Sequence, residues 1–546
     1  MKSASYRSAP RRILLLLLCI ALALPLSALA AGSKKSSASE IRVLLTRLNL
    51  TDEAWMTLEG RYLARGANGT EVLLPAGAQI TVLLRDGQLA LFHDGLSVNA
   101  GAELQLLRRQ DGDIEPGIRF NLFAGVYPGD LTLSVQDGAI RPVLKLPLES
   151  YLLGVVPYEM SDSFPVEALK VQAICARTYA LSRMNQNRSA EWDLVDNTND
   201  QVFRGTPAQN ENSARAIEET AGLVLTYKDK LITAWYSASN GGQTELPGNI
   251  WKGDSIPGCF AMTDDPWDAQ NPDSTVRTAV LGRDGSGLSR GILRLLHQEL
   301  SKEAELAGRL PEKPEDLKVD AIRSVKLTTP RYAAPSRLMT RLEITLDALG
   351  GTWDTALDLF PEAVFFLGLS VYGANNEIVT VSEDETGFTL TSGRYGHGVG
   401  MSQRGAQYMA SKGKKTFKEI LAFYYPGAKI KRYAGESAPL PTPDPVLGET
   451  PGPVPTATPR PTLMPVSEDL PEGAWLASVE HIEDDSTLNL REKPSAGAKI
   501  VRRLYKHQQL VVLEEAEVIG WVHVKTDVIE GYVMYSFLEN VEEKKE

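Results

Sequence analysis

Cysteine is scarce: 546 residues contain three, and Cys19 lies inside the apolar stretch near the N-terminus. The two remaining thiols, Cys175 and Cys259, are too few for a disulfide framework in so long a chain; one bridge between them is the most the sequence allows. Positive charge is short as well. Lys and Arg number 57 against 69 Asp and Glu, for a net charge of −12. Loss of a leader carrying Lys2, Arg7, Arg11 and Arg12 takes −12 to −16. That balance excludes nucleic acid as a partner, which calls for a basic face. The apolar run from Ile13 to Leu26, interrupted at Pro25, is too short and wrongly flanked for a membrane span. With its basic head and the small residues Ala28-Leu-Ala30, it reads as a secretory signal over residues 1–30. Membrane attachment would then come only from an uncleaved leader. Leu18 before Cys19 is not the small residue that lipoprotein processing wants, and the very apolar run after Arg11-Arg12 favours the ordinary export route over the twin-arginine one. The length exceeds one ordinary core, so several domains are expected.

From 41 to 145 the chain reads as short strands: Ile41-Arg-Val-Leu-Leu45, Glu71-Val-Leu-Leu74, Ile80-Thr-Val-Leu-Leu84, Leu89-Ala-Leu-Phe92 and Leu131-Thr-Leu-Ser-Val135. Turns such as Asp86-Gly87 and Asp137-Gly138 punctuate them. Helices are expected next. Ser163 and Pro165 mark a start, Glu167 falls in the first turn, and Val166, Leu169, Ala173, Ala176 and Ala180 recur at helical spacing to form one narrow packing face. Further helices are expected at 212–221 and 289–307, with strands at 231–236, 322–327 and 342–346. Between 435 and 471 a proline-rich tract cannot bury a core and reads as a semi-rigid tether of roughly 3 Å per residue. Alternating strands return over 475–540, the pattern of a small β module. The fold class is α+β: a β-rich entry, a helical centre and a small all-β barrel.

One carboxylate stands out. Glu159 follows Val155-Val-Pro-Tyr158, precedes Met160, and sits just before the long small-residue helix. If the fold keeps it in apolar surroundings, desolvation raises its pKa, as a general acid requires. The plain alternative is a carboxylate that caps a helix or sits in water. A second block, Gly396-His-Gly-Val-Gly-Met-Ser-Gln-Arg-Gly-Ala406, concentrates glycine and polar groups. His397 there either points into a groove or bonds its own turn, and Gln403 follows Ser402 at a helix start. The glycine pattern lacks the preceding strand and the lysine of a phosphate cradle. Ser237, Ser239 and Gln243 flank a glycine turn and either donate to sugar hydroxyls or shape the turn. Arg177 and Tyr179 in the long helix are core-edge or groove-lining groups. Asp264, Asp265 and Asp268 either bind a hard cation or belong to a solvated turn, and the turn is the reading taken.

The blocks at 148–181 and 396–406, together with Gln201-Val-Phe-Arg-Gly205 and Ile420-Leu-Ala-Phe-Tyr-Tyr-Pro-Gly427, resemble the SpoIID/LytB family of bacterial cell-wall proteins. The likeness runs from about Ile41 to Arg432, with the core from 146. It implies a secreted, wall-associated lytic transglycosylase acting on peptidoglycan glycan strands, with Glu159 in the Glu-Met element as single acid and base. Glu149 and Glu167, the nearest carboxylates, read as helix-start residues, so no second catalytic carboxylate presents itself. Tyr158, Arg177, Tyr179, Ser237, Ser239, His397 and Gln403 would line the substrate. A non-catalytic enhancer of a cell-wall amidase is the other function the family offers. Some relatives resemble zinc proteins; here the corresponding segment has Cys259 without histidine, so neither metal nor cofactor is expected. Thr487-Leu-Asn-Leu-Arg-Glu-Lys-Pro494, Gly520-Trp-Val-His-Val524 and Gly531-Tyr-Val533 resemble a bacterial SH3 module, which implies a wall ligand. Trp521 and Tyr532 are either contacts or core; His481, His507 and His523 read as ordinary strand or surface residues.

Overall fold

The computed structural model describes residues 39–433 apart from 111–115, 121–122, 252–257 and 372, and residues 474–541 apart from 481–486, 496–497, 517, 519 and 527–528. The expected leader at 1–30, the expected tether at 435–471 and His481 lie outside the described residues. Helices and strands mix in an α+β fold. The chain forms two compact units. Of the described residues, the first takes 39–162, 180–224 and 430–433; the second takes 163–179, 225–429 and 474–541.

Period-two alternation builds the first unit. One sheet of seven strands runs in the order Leu194–Val195, Glu40–Leu44, Ala139–Pro147, Asp130–Gln136, Glu103–Arg109, Arg61–Gly66, Glu71–Leu74. Ile41, Val43, Leu104, Leu106, Leu131, Leu133, Leu144 and Leu146 fill one of its faces and are all buried. A second sheet of six strands follows the order Val126–Tyr127, Gly117–Phe120, Glu53–Glu59, Gln79–Arg85, Gln88–His93, Leu96–Gly101. Asp86-Gly87 and Asp137-Gly138 turn two of the hairpins. Beyond the sheets come the short helices Leu148–Leu153 and Val156–Glu159, with Glu149 in the first turn of the former.

The long helix covers Val166–Gln186, and Pro165 supplies the first carbonyl, accepting from Ala168 and Leu169 N–H. Every residue from Val171 to Leu181 is buried. The narrow face anticipated from the alanines is therefore too modest: a helix closed off on all sides belongs in a core. Small side chains allow that enclosure.

In the second unit, Tyr236–Ser237 pairs in parallel with Met401–Ser402. The expected strand at 231–236 is broken. Trp235 turns its carbonyl to the Tyr425 hydroxyl, 2.6 Å, and to Met401 N–H, 3.2 Å, so side chain and loop replace a ladder there. The helix expected at 289–307 ends at Leu300, capped at its start by Ser289. It packs with the sheets Arg277–Gly282/Gly387–Gly393/Ile378–Glu383 and Val319–Pro330/Met339–Ala348/Gly351–Asp358 around Leu281, Ile292, Leu296, Leu342, Ile344, Phe388 and Leu390. The centre of the chain thus holds more strand than its helical patterning implied. At the C-terminus, seven strands from Trp475 to Asn540 enclose their own core of Ala477, Val479, Leu490, Leu504, Leu510, Val512, Val522, Val524 and Val533. His523 stacks on Tyr532 there, ring centroids 4.9 Å apart.

Candidate active site

Glu159 closes the helical turn Val156–Glu159, in which Pro157 sits at the start, where its missing N–H costs nothing. Its Oε1 accepts from the Val202 N–H at 2.8 Å. The side chain is partly exposed, neither sealed from water nor fully in it. Val202 belongs to the strap Gln201–Thr206, which is laced down on both sides. Arg204 N–H donates to Gly154 O at 3.1 Å, and Val126 and Thr206 exchange N–H···O bonds at 3.0 and 2.7 Å. The Tyr151 hydroxyl donates to Gln201 at 3.3 Å. Phe203 is fully buried, stacked on Tyr151 with centroids 5.1 Å apart and edge-on to Tyr127. A Cβ on Gly154 would stand 2.4 Å from the Phe203 ring, so only glycine lets the strap lie so close. Tyr158 receives the Arg204 guanidinium over its ring at 5.5 Å. Asp162, three residues past Glu159, accepts from the N–H groups of Ser213 at 2.7 Å and Asn212 at 3.3 Å and so caps the helix Glu211–Glu219. The result is a carboxyl fixed by a backbone donor, next in sequence to an aromatic ring with a cation on it.

The second glycine-rich block belongs to the other unit. Gly396, Gly398 and Gly400 all have positive φ, and a Cβ on Gly400 would meet the Trp235 carbonyl at 2.1 Å. His397 Nδ1 accepts the Val399 N–H at 3.0 Å, which leaves the proton of the neutral ring on Nε2. The ring stands edge-on to Trp251, centroids 5.0 Å apart, and Trp251 in turn stacks on Trp235. Burial, then the Arg394 guanidinium, push the imidazole down to about 4, while a hydrogen bond to the Tyr236 backbone works the other way. His397 is therefore neutral near pH 7. Ser237 Oγ accepts the Gly398 N–H at 3.2 Å. Arg394 is closed off from solvent beside Glu245, 3.3 Å away, and donates to the carbonyls of Asn240 and Gln243.

Asp265 and Asp268 overturn the expectation of a solvated turn; only Asp264 is exposed. Asp268 accepts from the hydroxyls of Ser239 at 2.9 Å and Ser402 at 2.7 Å and from the Gly242 N–H at 3.1 Å. Asp265 accepts from Tyr424 at 2.7 Å and Asn240 at 2.8 Å, and burial raises it to about 6. Asp268 pins the glycine turn at 239–242 to the start of the helix Gln403–Ser411, which Ser402 caps through the Gly405 N–H, and Asp265 pins it to Tyr424 at the end of the helix Phe417–Tyr424. Gln403 itself is buried and donates to Gln172 at 3.3 Å. Arg177 is fully closed off and Tyr179 nearly so, so both act inside the protein. Glu167 accepts from Phe417 N–H at 2.7 Å and pairs with Lys170. Cys175 and Cys259 are free and buried; Cys175 donates to the Tyr425 hydroxyl at 3.5 Å, and burial pushes the thiols up to about 12 and about 11. Among the described residues no three His, Cys, Asp or Glu side chains gather as a metal site needs.

The first unit thus holds Glu159 and Tyr158, and the second holds Arg177, Tyr179, Ser237, Ser239, His397 and Gln403. Sequence reasoning missed the backbone donor of Val202 and the cation of Arg204. The Gln201–Gly205 block was visible, but nothing in it advertised that its second residue faces Glu159.

A mixed α+β body with a fixed carboxyl, joined in sequence to an all-β module, defines the class of protein. Residues 136–227 match the family described as SpoIID, Stage II sporulation protein, and residues 486–539 match the bacterial SH3 domain. The chain carries both domains. It is 30% identical to the amidase enhancer of Bacillus subtilis (strain 168) over 296 residues, 52% of this chain and 40% of that protein. It therefore spans about two fifths of that relative's length. An uncharacterized protein of Brachyspira hyodysenteriae is 28% identical over 71% of this chain and 93% of its own. Stage II sporulation protein D of Bacillus subtilis is 27% identical over 55% of this chain and 79% of its own.

Proposed function

We propose that this protein is exported to the cell wall and cuts peptidoglycan glycan strands as a lytic transglycosylase. In this reading residues 41–432 form the glycan-directed body, 435–471 a tether and 475–540 a wall-binding module. The observation that carries it is Glu159, held by the Val202 N–H inside the stretch that matches the SpoIID family. A hydrolytic glycosidase normally needs two carboxylates, one of them to activate water or attack the sugar. Here the sugar supplies its own nucleophile. Glu159 gives its proton to the glycosidic oxygen as the C1–O bond breaks. As carboxylate it then takes the proton of the muramic C6 hydroxyl, whose oxygen bonds to C1 and leaves a 1,6-anhydro end. The backbone donor holds the carboxyl in place through both steps.

A second reading, stimulation of a separate wall amidase without chemistry of its own, is favoured by the name of the 30%-identical relative. Mass analysis of glycan strands stripped of peptides and incubated with the pure protein separates the two. New anhydro-muramic ends that vanish in Glu159→Gln support cleavage. Binding without new ends, joined to faster amidase turnover on mixing, supports the enhancer instead.

A further inference from the structure

The six-stranded sheet of the first unit buries Ala54, Met56, Ile80, Val82, Leu89 and Leu91 on one face. Its other face carries Trp55, 54% exposed, on an interior strand. Strand register places Trp55 opposite Thr81, Thr81 opposite Phe92, and Phe92 opposite Ser97, so these side chains form one row across four strands. Phe92 is partly exposed, and Thr57 and Gln79, paired one step along the same face, flank the row.

We propose that this face docks a β-1,4-linked glycan chain through Trp55 and Phe92; the inference rests on the glycan-directed reading above. The spacing favours that occupant. Two strand intervals separate the rings, roughly 10 Å, close to one disaccharide repeat of an extended chain. Alternate sugars in such a chain turn the same face downward, so two like rings meet two aromatic rings. Sugar faces present C–H groups to an aromatic plane, while their edges present hydroxyls, which Thr81, Ser97, Thr57 and Gln79 suit. A protein interface would be expected to centre on a wider apolar core, and the chain's net charge of −12 turns away nucleic acid.

The test uses the full chain carrying Glu159→Gln, so that the probe is not consumed, and N-acetylglucosamine oligomers of two to six sugars in calorimetry. Affinity should rise once three sugars allow both rings to be covered. Trp55→Ala should weaken binding about tenfold, Trp55→Tyr should largely restore it, and Trp55→Ala/Phe92→Ala should remove the length dependence. Because Trp55 is exposed, the unfolding midpoint should not move. Equal affinities of the double variant and its parent, or no binding of any oligomer, would overturn the proposal. The product assay on stripped strands judges the cleavage reading separately: new ends with an inert sheet face sink only this inference, and no ends with Trp55-dependent binding sink only cleavage.

Discussion

His397 and Asp265 illustrate how two groups of one unit set opposing pH dependences. The folded imidazole titrates near 4, below its ordinary value, because burial and Arg394 disfavour the cation. As pH falls through 6.5 the unfolded chain takes up a proton that the folded one refuses, so His397 lowers stability progressively down to about pH 4. Asp265 runs the other way. Burial lifts its carboxyl to about 6, so the folded state keeps a proton that the unfolded chain has released, and stability from this group is lost as pH rises from about 4 through 6. Replacing His397 by Gln should therefore tilt the curve: between pH 4 and 6.5 the variant should gain less stability with rising pH than the wild type. Denaturant titrations at pH 4.5, 5.5 and 7 read this directly, and parallel curves would show that the imidazole does not carry the coupling.

At the scale of elements, the polar staples of the second unit are the vulnerable points. Asp268→Ala leaves the hydroxyls of Ser239 and Ser402 and the Gly242 N–H without their shared acceptor; with each group buried, roughly 3 kcal/mol of stability should go. Ser402→Ala, which removes the cap of Gln403–Ser411, should cost about 1 kcal/mol more modestly. Glu245→Ala strands the enclosed Arg394 guanidinium and should destabilise by about 3–5 kcal/mol. Thermal or denaturant unfolding ranks the three, and a Glu245→Ala protein as stable as the wild type would show that Arg394 finds other compensation. The same staples mark where sequence reading stopped. Strands such as Asp130–Gln136 were legible because alternation and Asp-Gly turns are local signals. The long helix was legible from its alanine spacing, yet its enclosure on every side was not, since that depends on what packs around it. Asp265 and Asp268 looked like a wet turn because charge in a run of Asp and Pro usually is wet; their partners lie at Ser402 and Tyr424, more than a hundred residues away. Glu159 was visible from its neighbours in sequence, whereas the Val202 donor, 43 residues on, was not.

For the whole molecule, the question is what the C-terminal module adds. Residues 475–540 have their own buried core, while Tyr535 also meets the Phe365 ring with centroids 5.4 Å apart, so a shortened chain is first checked for an unchanged unfolding midpoint of the body. If the module holds the wall, as proposed, the tether converts the body's encounter with glycan from a bimolecular event into a local one. Effective concentrations for such linkers reach the millimolar range, and avidity gains of roughly 10²–10⁴ follow when both sites engage one polymer. The gain exists only on a polymer large enough to be gripped twice. A chain ending after residue 433 should therefore cut short soluble glycan fragments as fast as the full protein, while its retention on intact wall sacculi, measured by co-sedimentation, should fall about a hundredfold. Exchange of the buried Val522 and Val524 is unsuitable for this test, because it would unfold the module rather than blunt its surface. Equal retention of the truncated and full chains would assign wall binding to the body alone and would place more weight on the Trp55 face.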